Sequence, residues 1–342
     1  MINNTRYQEQ LRDAAESVQV KDCHVLVTGA TGLIGSAIID VLMTANKQGA
    51  TIHIYALGRS REKLLTRFPS YVDHRFFHLL VQDICTPLPD EITFDYIIHG
   101  ASNADPVSYA KYPAETMTTN LLGAYNILTY GKNHPTCRIT MLSTFEVYGN
   151  AQQDTYQEGD AGIIDFNVLR SCYPESKRSV ELMAQCYHQE YGVQVNVARL
   201  SSIYGPTMLS NDSKAHAQFI RNALAGKEIV LKSRGLQKRT YTYVLDAVTG
   251  LLAVLYRGIS GEAYNVCNGD AITTIAEVAQ LVASIAQTAV VFQIPSELEA
   301  KGFSKPQNCI LVDTKLRNLG WKPRYDLKTG LTSTMNILAN DL

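Results

Sequence analysis

The chain has 342 residues, 46% of them hydrophobic, and a formal net charge of −1 at pH 7, so it can bury a sizeable core as one large α/β unit or as two smaller domains sharing a cleft. The near-neutral balance, with no long basic run, argues against nucleic acid or an anionic membrane as a partner, and no run of about 18 apolar residues is present to span a bilayer. The seven cysteines, Cys23, Cys85, Cys137, Cys172, Cys186, Cys267 and Cys309, are odd in number, scattered and free of any C-x-x-C, which suits reduced thiols in a cytoplasm and argues against a disulfide or zinc framework.

Met1 to Lys21 is polar and lacks the apolar stretch of a signal peptide. Residues 1–20 read as a short, partly helical extension with no chemistry. An apolar run, Cys23-His24-Val25-Leu26-Val27, then leads into Thr28-Gly29-Ala30-Thr31-Gly32-Leu33-Ile34-Gly35, and the helical pattern Ala37–Met43 leads out. Strand, glycine turn and helix in this order form the first turn of a dinucleotide-binding fold. Gly29 permits a sharp turn, Gly32 lets a pyrophosphate approach the backbone, and Gly35 lets the helix pack on the strand. Thr31, Leu33 and Ile34 complete the turn, and the helix start turns its free N–H groups toward the phosphates. A plain flexible loop is the alternative, and the flanking elements weigh against it.

Thr51 to Ala56 reads as a second strand. The end of that strand commonly carries an acid for the adenosine ribose hydroxyls, but here it reads Leu57-Gly58-Arg59-Ser60-Arg61. Arg59 and Arg61, with Ser60 between them, would suit a 2′-phosphate, a lean toward NADP(H) over NAD(H). Solvated loop arginines are the alternative. Arg75 to Val81 is a third strand, followed by Gln82-Asp83-Ile84. His74 and His78 share a face of that strand without a third ligand, so no metal site is expected. Asp95 to His99 is a fourth strand, running into Gly100-Ala101-Ser102-Asn103-Ala104-Asp105-Pro106-Val107-Ser108-Tyr109, whose small residues, Ala101 and Ser102 first, would let a cofactor lie close. The next helix holds Asn120-Leu121-Leu122-Gly123.

Arg138 to Leu142 is a fifth strand, ending in Ser143-Thr144-Phe145-Glu146-Val147-Tyr148-Gly149. After an irregular stretch comes Arg170-Ser171-Cys172-Tyr173-Pro174-Glu175-Ser176-Lys177-Arg178. Proline is tolerated only in a first turn, so a helix begins near Tyr173 and carries Val180, Met183, Ala184 and Tyr187 onward. Val193 to Leu200 is a sixth strand, closed by Ile203-Tyr204-Gly205-Pro206. Then the alternation loosens: helix Ala215–Ala225, strand Ile229–Leu231, loop Gly235–Tyr241, helix Val244–Tyr256, strand Ala263–Val266, helix Ile275–Ala286 and a C-terminal Asn318–Pro323.

Tyr173 and Lys177 are four apart at a helix start and so share a face. An ammonium beside a phenol favours the phenolate, as does an oxidised nicotinamide ring, which would make Tyr173 a base near neutral pH for a substrate hydroxyl. Thr144, at a strand end, can hydrogen-bond the same hydroxyl. Y-x-x-x-K also occurs as a plain surface pair. Its position here, after the fifth strand and downstream of the glycine turn, favours the chemical reading.

The G-x-x-G-x-x-G turn, S-T-x-E-V-Y-G and Y-x-x-x-K together resemble the extended short-chain dehydrogenase/reductases, a family of nucleotide-sugar epimerases, dehydratases and decarboxylases. The resemblance runs from about Lys21 to Leu331. The stretches 101–109 and 170–178 look most like UDP-glucuronate decarboxylases. The resemblance implies an α/β fold: a Rossmann doubly wound parallel sheet over 21–200, and a smaller, mainly substrate-binding α/β domain over 201–342, with segments threaded between them. It implies that the sugar 4-hydroxyl is oxidised to a transient ketone, which acidifies C5 and makes a C6 carboxylate a β-keto acid, before the hydride returns. It further implies that Asp83 and Ile84 meet the adenine, that Asn120 steadies the backbone at the centre, and that Thr144, Glu146, Tyr173 and Lys177 do the chemistry. Asn103, Phe145, Ser202 and Arg239 would face the substrate, Arg239 pairing with its diphosphate or a sugar carboxylate.

Two departures bear on the reaction. Phe145 stands where the dehydratases carry Asp and the decarboxylases Ser. It cannot donate a proton to a departing 6-hydroxyl, which disfavours 4,6-dehydration. Ser202 stands where many relatives have an Asn on the diphosphate, leaving the nucleobase open. Glu146 as a structural carboxylate also stays open. The expected function is a redox-neutral nucleotide-sugar enzyme, decarboxylase-like or epimerase-like. The alternatives are a 4,6-dehydratase, an NADPH-dependent ketoreductase and a non-catalytic dinucleotide-binding regulator, the last opposed by the Thr144, Tyr173 and Lys177 set. A cytoplasmic homodimer is expected, paired through the helices holding Asn120 and Tyr173, with the Val180–Tyr187 stripe either in that contact or against its own sheet.

Overall fold

The computed structural model describes residues 4–151, 153–294 and 307–339. Its centre is a parallel sheet built from β1 (His24–Thr28), β2 (His53–Gly58), β3 (Phe77–Val81), β4 (Tyr96–His99), β5 (Arg138–Thr144), β7 (Gln194–Leu200) and β11 (Ala263–Val266). The short β6 (Thr155–Tyr156), β8 (Ser202–Tyr204), β9 (Ile229–Leu231) and β10 (Lys238–Tyr243) lie between these in sequence. The large sheet is seven-stranded, in the order β11-β7-β5-β4-β1-β2-β3, with every pairing parallel. Parallel strands are covered on both faces, which is why Val25-Leu26-Val27 and Ile97-Ile98 read as unbroken apolar runs and are all buried. The strand order reverses between β1 and β4, so a crevice opens at their C-terminal ends.

Helices α1 (Thr5–Ala15), α2 (Leu33–Lys47) and α8 (Val244–Arg257) cover one face. On the other lie α5 (Pro113–Asn133) and α6 (Cys172–Tyr191), while α3 (Arg61–Arg67), α4 (Pro106–Lys111), α7 (Ala215–Leu224) and α9 (Ile275–Ala286) pack at the periphery. Val180 and Ala184 are buried in the second core, with Met183 and Tyr187 packed against it. The stripe on α6 therefore faces its own sheet.

The N-terminal stretch, helical over Thr5–Ala15, packs into the core: Tyr7, Leu11, Ala14 and Ala15 of α1 are buried, and the Tyr7 hydroxyl donates to Asp40 on α2 at 2.9 Å. Three local readings change. The second strand starts two residues later than expected and runs on to Gly58. His74 lies in the turn before β3, so His74 and His78 share no strand face. His78 instead meets His53 of β2, Nε2 to Nδ1, at 3.0 Å. Finally, Lys238–Tyr241 of the expected loop belongs to β10, which pairs parallel with β8 and antiparallel with β12 (Ile272–Thr274). The alternation in Lys-Arg-Thr-Tyr-Thr-Tyr becomes a strand once those distant partners supply the ladder. Two further pairs complete the small lobe, β13 (Val290–Phe292) with β9 and β14 (Ile310–Leu311) with β6. β11 comes from beyond residue 200 and yet is an edge of the large sheet.

Candidate active site

The glycine turn leaves β1 with Gly29 at φ +68°, where a Cβ would stand 2.7 Å from the Gly100 carbonyl. A Cβ on Gly35 would lie 2.4 Å from the Gly29 oxygen. These two positions therefore require glycine, while a Cβ at Gly32 would stand 3.3 Å from the Gly29 oxygen. Gly32 is also the N-cap of α2 and gives it no side-chain cap, so the first N–H groups of that helix are left for another partner. The Leu33 carbonyl is held by the Thr207 hydroxyl at 2.7 Å, and Ile34 packs against the core. Thr31 is half-buried beside them.

At the end of β4, Thr28 Oγ1 accepts from the N–H groups of Gly100 and Ala101, both at 3.1 Å. Its own proton therefore goes to His99 Nδ1, 2.9 Å away. Burial, and then the charge of Lys177, push His99 down to about 3, so it is a neutral wall residue. Ser102 Oγ and Asn120 Oδ1 are buried without a hydrogen-bond partner. A cradle that a Cβ would close, a bare helix start and an orphaned hydroxyl fit a dinucleotide phosphate and its nicotinamide half.

The adenosine end is less simple than the sequence suggests. Arg59 is paired with Glu115 in the first turn of α5, Nη1 to Oε1 at 3.0 Å. The Ser60 hydroxyl caps α3 by accepting from Lys63 N–H, and Arg61 is the exposed first residue of that helix. Asp83 Oδ1 accepts from Cys85 N–H at 2.9 Å. Ile84 is buried, its carbonyl held by Asn126 Nδ2 at 2.8 Å and its side chain close against Gly123, where a Cβ would stand 3.2 Å from it. No group of three or more His, Cys, Asp or Glu able to hold a metal occurs among the described residues.

Thr144 is the last residue of β5 and caps the short 3-10 turn Phe145–Tyr148, accepting from Glu146 N–H at 3.3 Å. Tyr173, in the first turn of α6, hydrogen-bonds the Thr144 side chain. Asn120 Nδ2 donates to Ser176 Oγ at 2.8 Å, and that hydroxyl donates to the Tyr173 carbonyl at 2.9 Å, so α5 pins the start of α6. Lys177 Nζ donates to the Leu142 carbonyl at 2.9 Å. Burial pushes Lys177 down to about 8, against the opposing pull of Glu181. Burial, and next the charge of Glu146, raise the Tyr173 phenol, while the Thr144 hydrogen bond and Arg170 act the other way. In the protein alone burial outweighs the pull of Arg170 on the phenol.

Arg170 was not singled out by its sequence position. Its Nη1 pairs with Glu146 Oε2 at 2.9 Å, with the Arg side chain 51% exposed and the Glu 18%. Its Nη2 donates to the Tyr109 hydroxyl at 3.1 Å. The Tyr109 ring stacks on Tyr173, centroids 5.2 Å apart and planes 11° from parallel. Tyr109 comes from α4, whose cap, Asp105, also accepts from Ser213 N–H at 2.8 Å and Oγ at 2.6 Å. The only sequence signal for Arg170 and Tyr109 was that both lie in the two stretches carrying the finer resemblance. Arg239 of β10 lies over the Phe145 ring at 5.4 Å. Thr144, Phe145, Glu146, Tyr173 and Arg239 are thus joined by direct contacts, with Lys177 one helical turn on. Asn103 sits on the loop between β4 and α4, and Ser202 opens β8 opposite Tyr241, each placed by a different element. Behind the site Ser143 Oγ donates to Glu181 at 2.5 Å, and Arg199 grips the same carboxylate with Nη2 at 2.7 Å.

Residues 25–267 match the model of the NAD dependent epimerase/dehydratase family. Over 319 residues the chain is 32% identical to UDP-glucuronic acid decarboxylase 1 of Danio rerio, covering 93% of this chain and 73% of that protein. It is 31% identical over 308 residues to UDP-glucuronic acid decarboxylase 6 of Arabidopsis thaliana, covering 90% and 86%. Among solved structures, UDP-N-acetylglucosamine 4-epimerase from Methanobrevibacter ruminantium M1 superposes with a TM-score of 0.82 at 20% identity, covering 94% of this chain and 100% of that one. dTDP-glucose 4,6-dehydratase from Bacillus anthracis, solved in complex with NAD, superposes with 0.78 at 23% identity, covering 93% and 97%. At these identities the structures show the shared fold.

Proposed function

The chain belongs to the NAD dependent epimerase/dehydratase family, and within it we propose a redox-neutral enzyme that decarboxylates a UDP-linked uronic acid. The observation that carries this reading is the half-exposed Arg170 guanidinium, held by Glu146 and Tyr109 beside the Thr144–Tyr173 pair. A guanidinium there is a bidentate partner for a sugar carboxylate. Relatives at about 30% identity are named as UDP-glucuronic acid decarboxylases, which supports the same substrate. When bound, the oxidised nicotinamide supplies the hydride acceptor for C4 of the sugar and a positive charge beside the phenol.

In this reading Tyr173 takes the proton of the 4-hydroxyl and later returns it, while Thr144 orients that hydroxyl. Lys177, anchored on the Leu142 carbonyl, holds the nicotinamide side of the site. Arg170 and Arg239 bind the anionic groups of the substrate. Glu146 serves the ketone stage, when C5 gains the proton that replaces CO2. Phe145 supplies no acid for a 6-hydroxyl, and loss of CO2 needs none. Residues 21–200 hold the dinucleotide and most of 201–342 closes over the nucleotide-sugar. We take NAD as the working cofactor, because Glu115 sets a carboxylate against Arg59 at the end of β2, and a carboxylate there repels a 2′-phosphate. No helix among the described residues is long and apolar enough to cross a membrane, and we place the enzyme in the cytoplasm.

Mass spectrometry of products from a panel of nucleotide-sugars tests the proposal. UDP-glucuronate is expected to yield a product lighter by one CO2 without net consumption of cofactor. A product of unchanged mass, a loss of water or stoichiometric oxidation of NADPH would replace the reading by epimerase, dehydratase or ketoreductase. In the same assay Glu146→Gln is expected to reduce its bound cofactor and then stall, seen in stopped flow as a lasting rise in reduced-nicotinamide absorbance. Normal turnover in that variant would make Glu146 structural.

The homodimer is also a proposal. With the Val180 stripe committed to its own core, the contact falls to Met117, Leu122 and Tyr125 of α5 and Leu182 of α6, all exposed. Light scattering is expected to give a dimer mass for the wild type and a monomer for Leu182→Glu. A wild-type monomer at working concentration ends this reading.

A further inference from the structure

We propose that Glu115 is the residue that sets the choice between NAD(H) and NADP(H), by delivering from α5 the carboxylate that β2 lacks. The inference rests on the dinucleotide reading of the cleft. Strand β2 ends in Leu57-Gly58 and is followed by Arg59-Ser60-Arg61, with no acid for the adenosine ribose. The Arg59–Glu115 pair, at 3.0 Å, brings a carboxylate to that strand end from the first turn of another helix. The turn expected to meet the adenine is at the same place. Cys85, two residues past Asp83, hydrogen-bonds both Asp83 and Thr119 of α5, and the charge of Arg59 acts on its thiol. The end of β2, the Asp83–Cys85 turn and the first turns of α5 thus converge.

The chemistry follows from the sign of the charge. A ribose diol donates hydrogen bonds to a carboxylate, whereas a 2′-phosphate is repelled by it and must compete with it for Arg59. Ser60 does not discriminate between the two, because its hydroxyl oxygen accepts from Lys63 N–H in capping α3 and its own proton stays available to either ligand. A choice that the β2 sequence alone assigns to NADP(H) is reversed by a residue more than fifty positions downstream in the chain.

Isothermal titration calorimetry of the full chain with NADH and with NADPH, without any sugar, tests this. The wild type is expected to bind NADH on the order of tenfold tighter than NADPH, the scale of one partly screened charge contact. Glu115→Gln should tighten NADPH about tenfold and weaken NADH several-fold, reversing the order. Adding Arg59→Ala to Glu115→Gln should erase the NADPH gain, and Glu115→Asp should keep the wild-type order. Wild-type preference for NADPH, or an unchanged ratio in Glu115→Gln, overturns the proposal. Because no sugar is present, failure of the uronic-acid reading leaves this result untouched. Failure of the wild type to bind either nucleotide would end both the proposal and the dinucleotide reading.

Discussion

Replacing Tyr173 by Phe is expected to lower turnover by about 10²-fold or more while leaving cofactor binding in place, the scale of a lost general base. The substitution keeps the ring, so the stack on Tyr109 at 5.2 Å survives and α6 keeps its first turn through Asn120 and Ser176. What disappears is the hydroxyl that bonds Thr144. Burial and Glu146 raise this phenol, so the wild-type rate should climb with pH as the phenol ionises, and the residual rate of the variant should lose that limb. Initial rates across pH, paired with calorimetric cofactor binding, separate the outcomes. Turnover within a few-fold of wild type would remove Tyr173 from the chemistry. Lost cofactor binding would mean that its role is to shape the pocket.

Replacing Arg67 by Met is expected to destabilise the fold by about 3–5 kcal/mol, the cost of stripping a buried carboxylate of its cation. Asp40 on α2 is 0% exposed. Arg67 Nη2 reaches it at 2.9 Å, Tyr7 at 2.9 Å and Tyr71 at 3.1 Å. One carboxylate therefore ties α1, α2 and α3 together, and two phenol hydroxyls alone do not neutralise it. The double variant Arg67→Met with Asp40→Leu should recover part of the loss, because removing both charges leaves only the hydroxyls unsatisfied. Urea unfolding of the three proteins checks this. A loss under about 1 kcal/mol for Arg67→Met would mean that the site opens to water at little cost.

The parts of this protein determined by sequence alone share one physical property: their causes lie within a few residues of one another. The apolar run before Thr28, the spacing of Gly29, Gly32 and Gly35 and the helical period after them are local, so strand, turn and helix could be named in order. The proline rule places the start of α6 within one residue, and the four-residue spacing puts Tyr173 and Lys177 on one face. The parallel sheet follows from alternating elements, since parallel strands need crossover helices.

Only the tertiary structure decided what depends on distant segments. β10 is a strand because β8 and β12 pair with it, and a propensity reading of residues 235–241 has no access to those partners. Arg170 meets Glu146, and Tyr109 stacks on Tyr173, because α4 and the stretch before α6 converge on the end of β5. Glu115 of α5 pairs with Arg59, which turns one of the two loop arginines from a candidate phosphate ligand into half of an ion pair. Tyr7 and Asp40 make a polar N-terminus part of the core. Local period and turn chemistry are written in neighbouring residues. Charge pairing, burial and pKa are set by whichever groups the fold brings within a few ångströms, and that is a property of the packed chain.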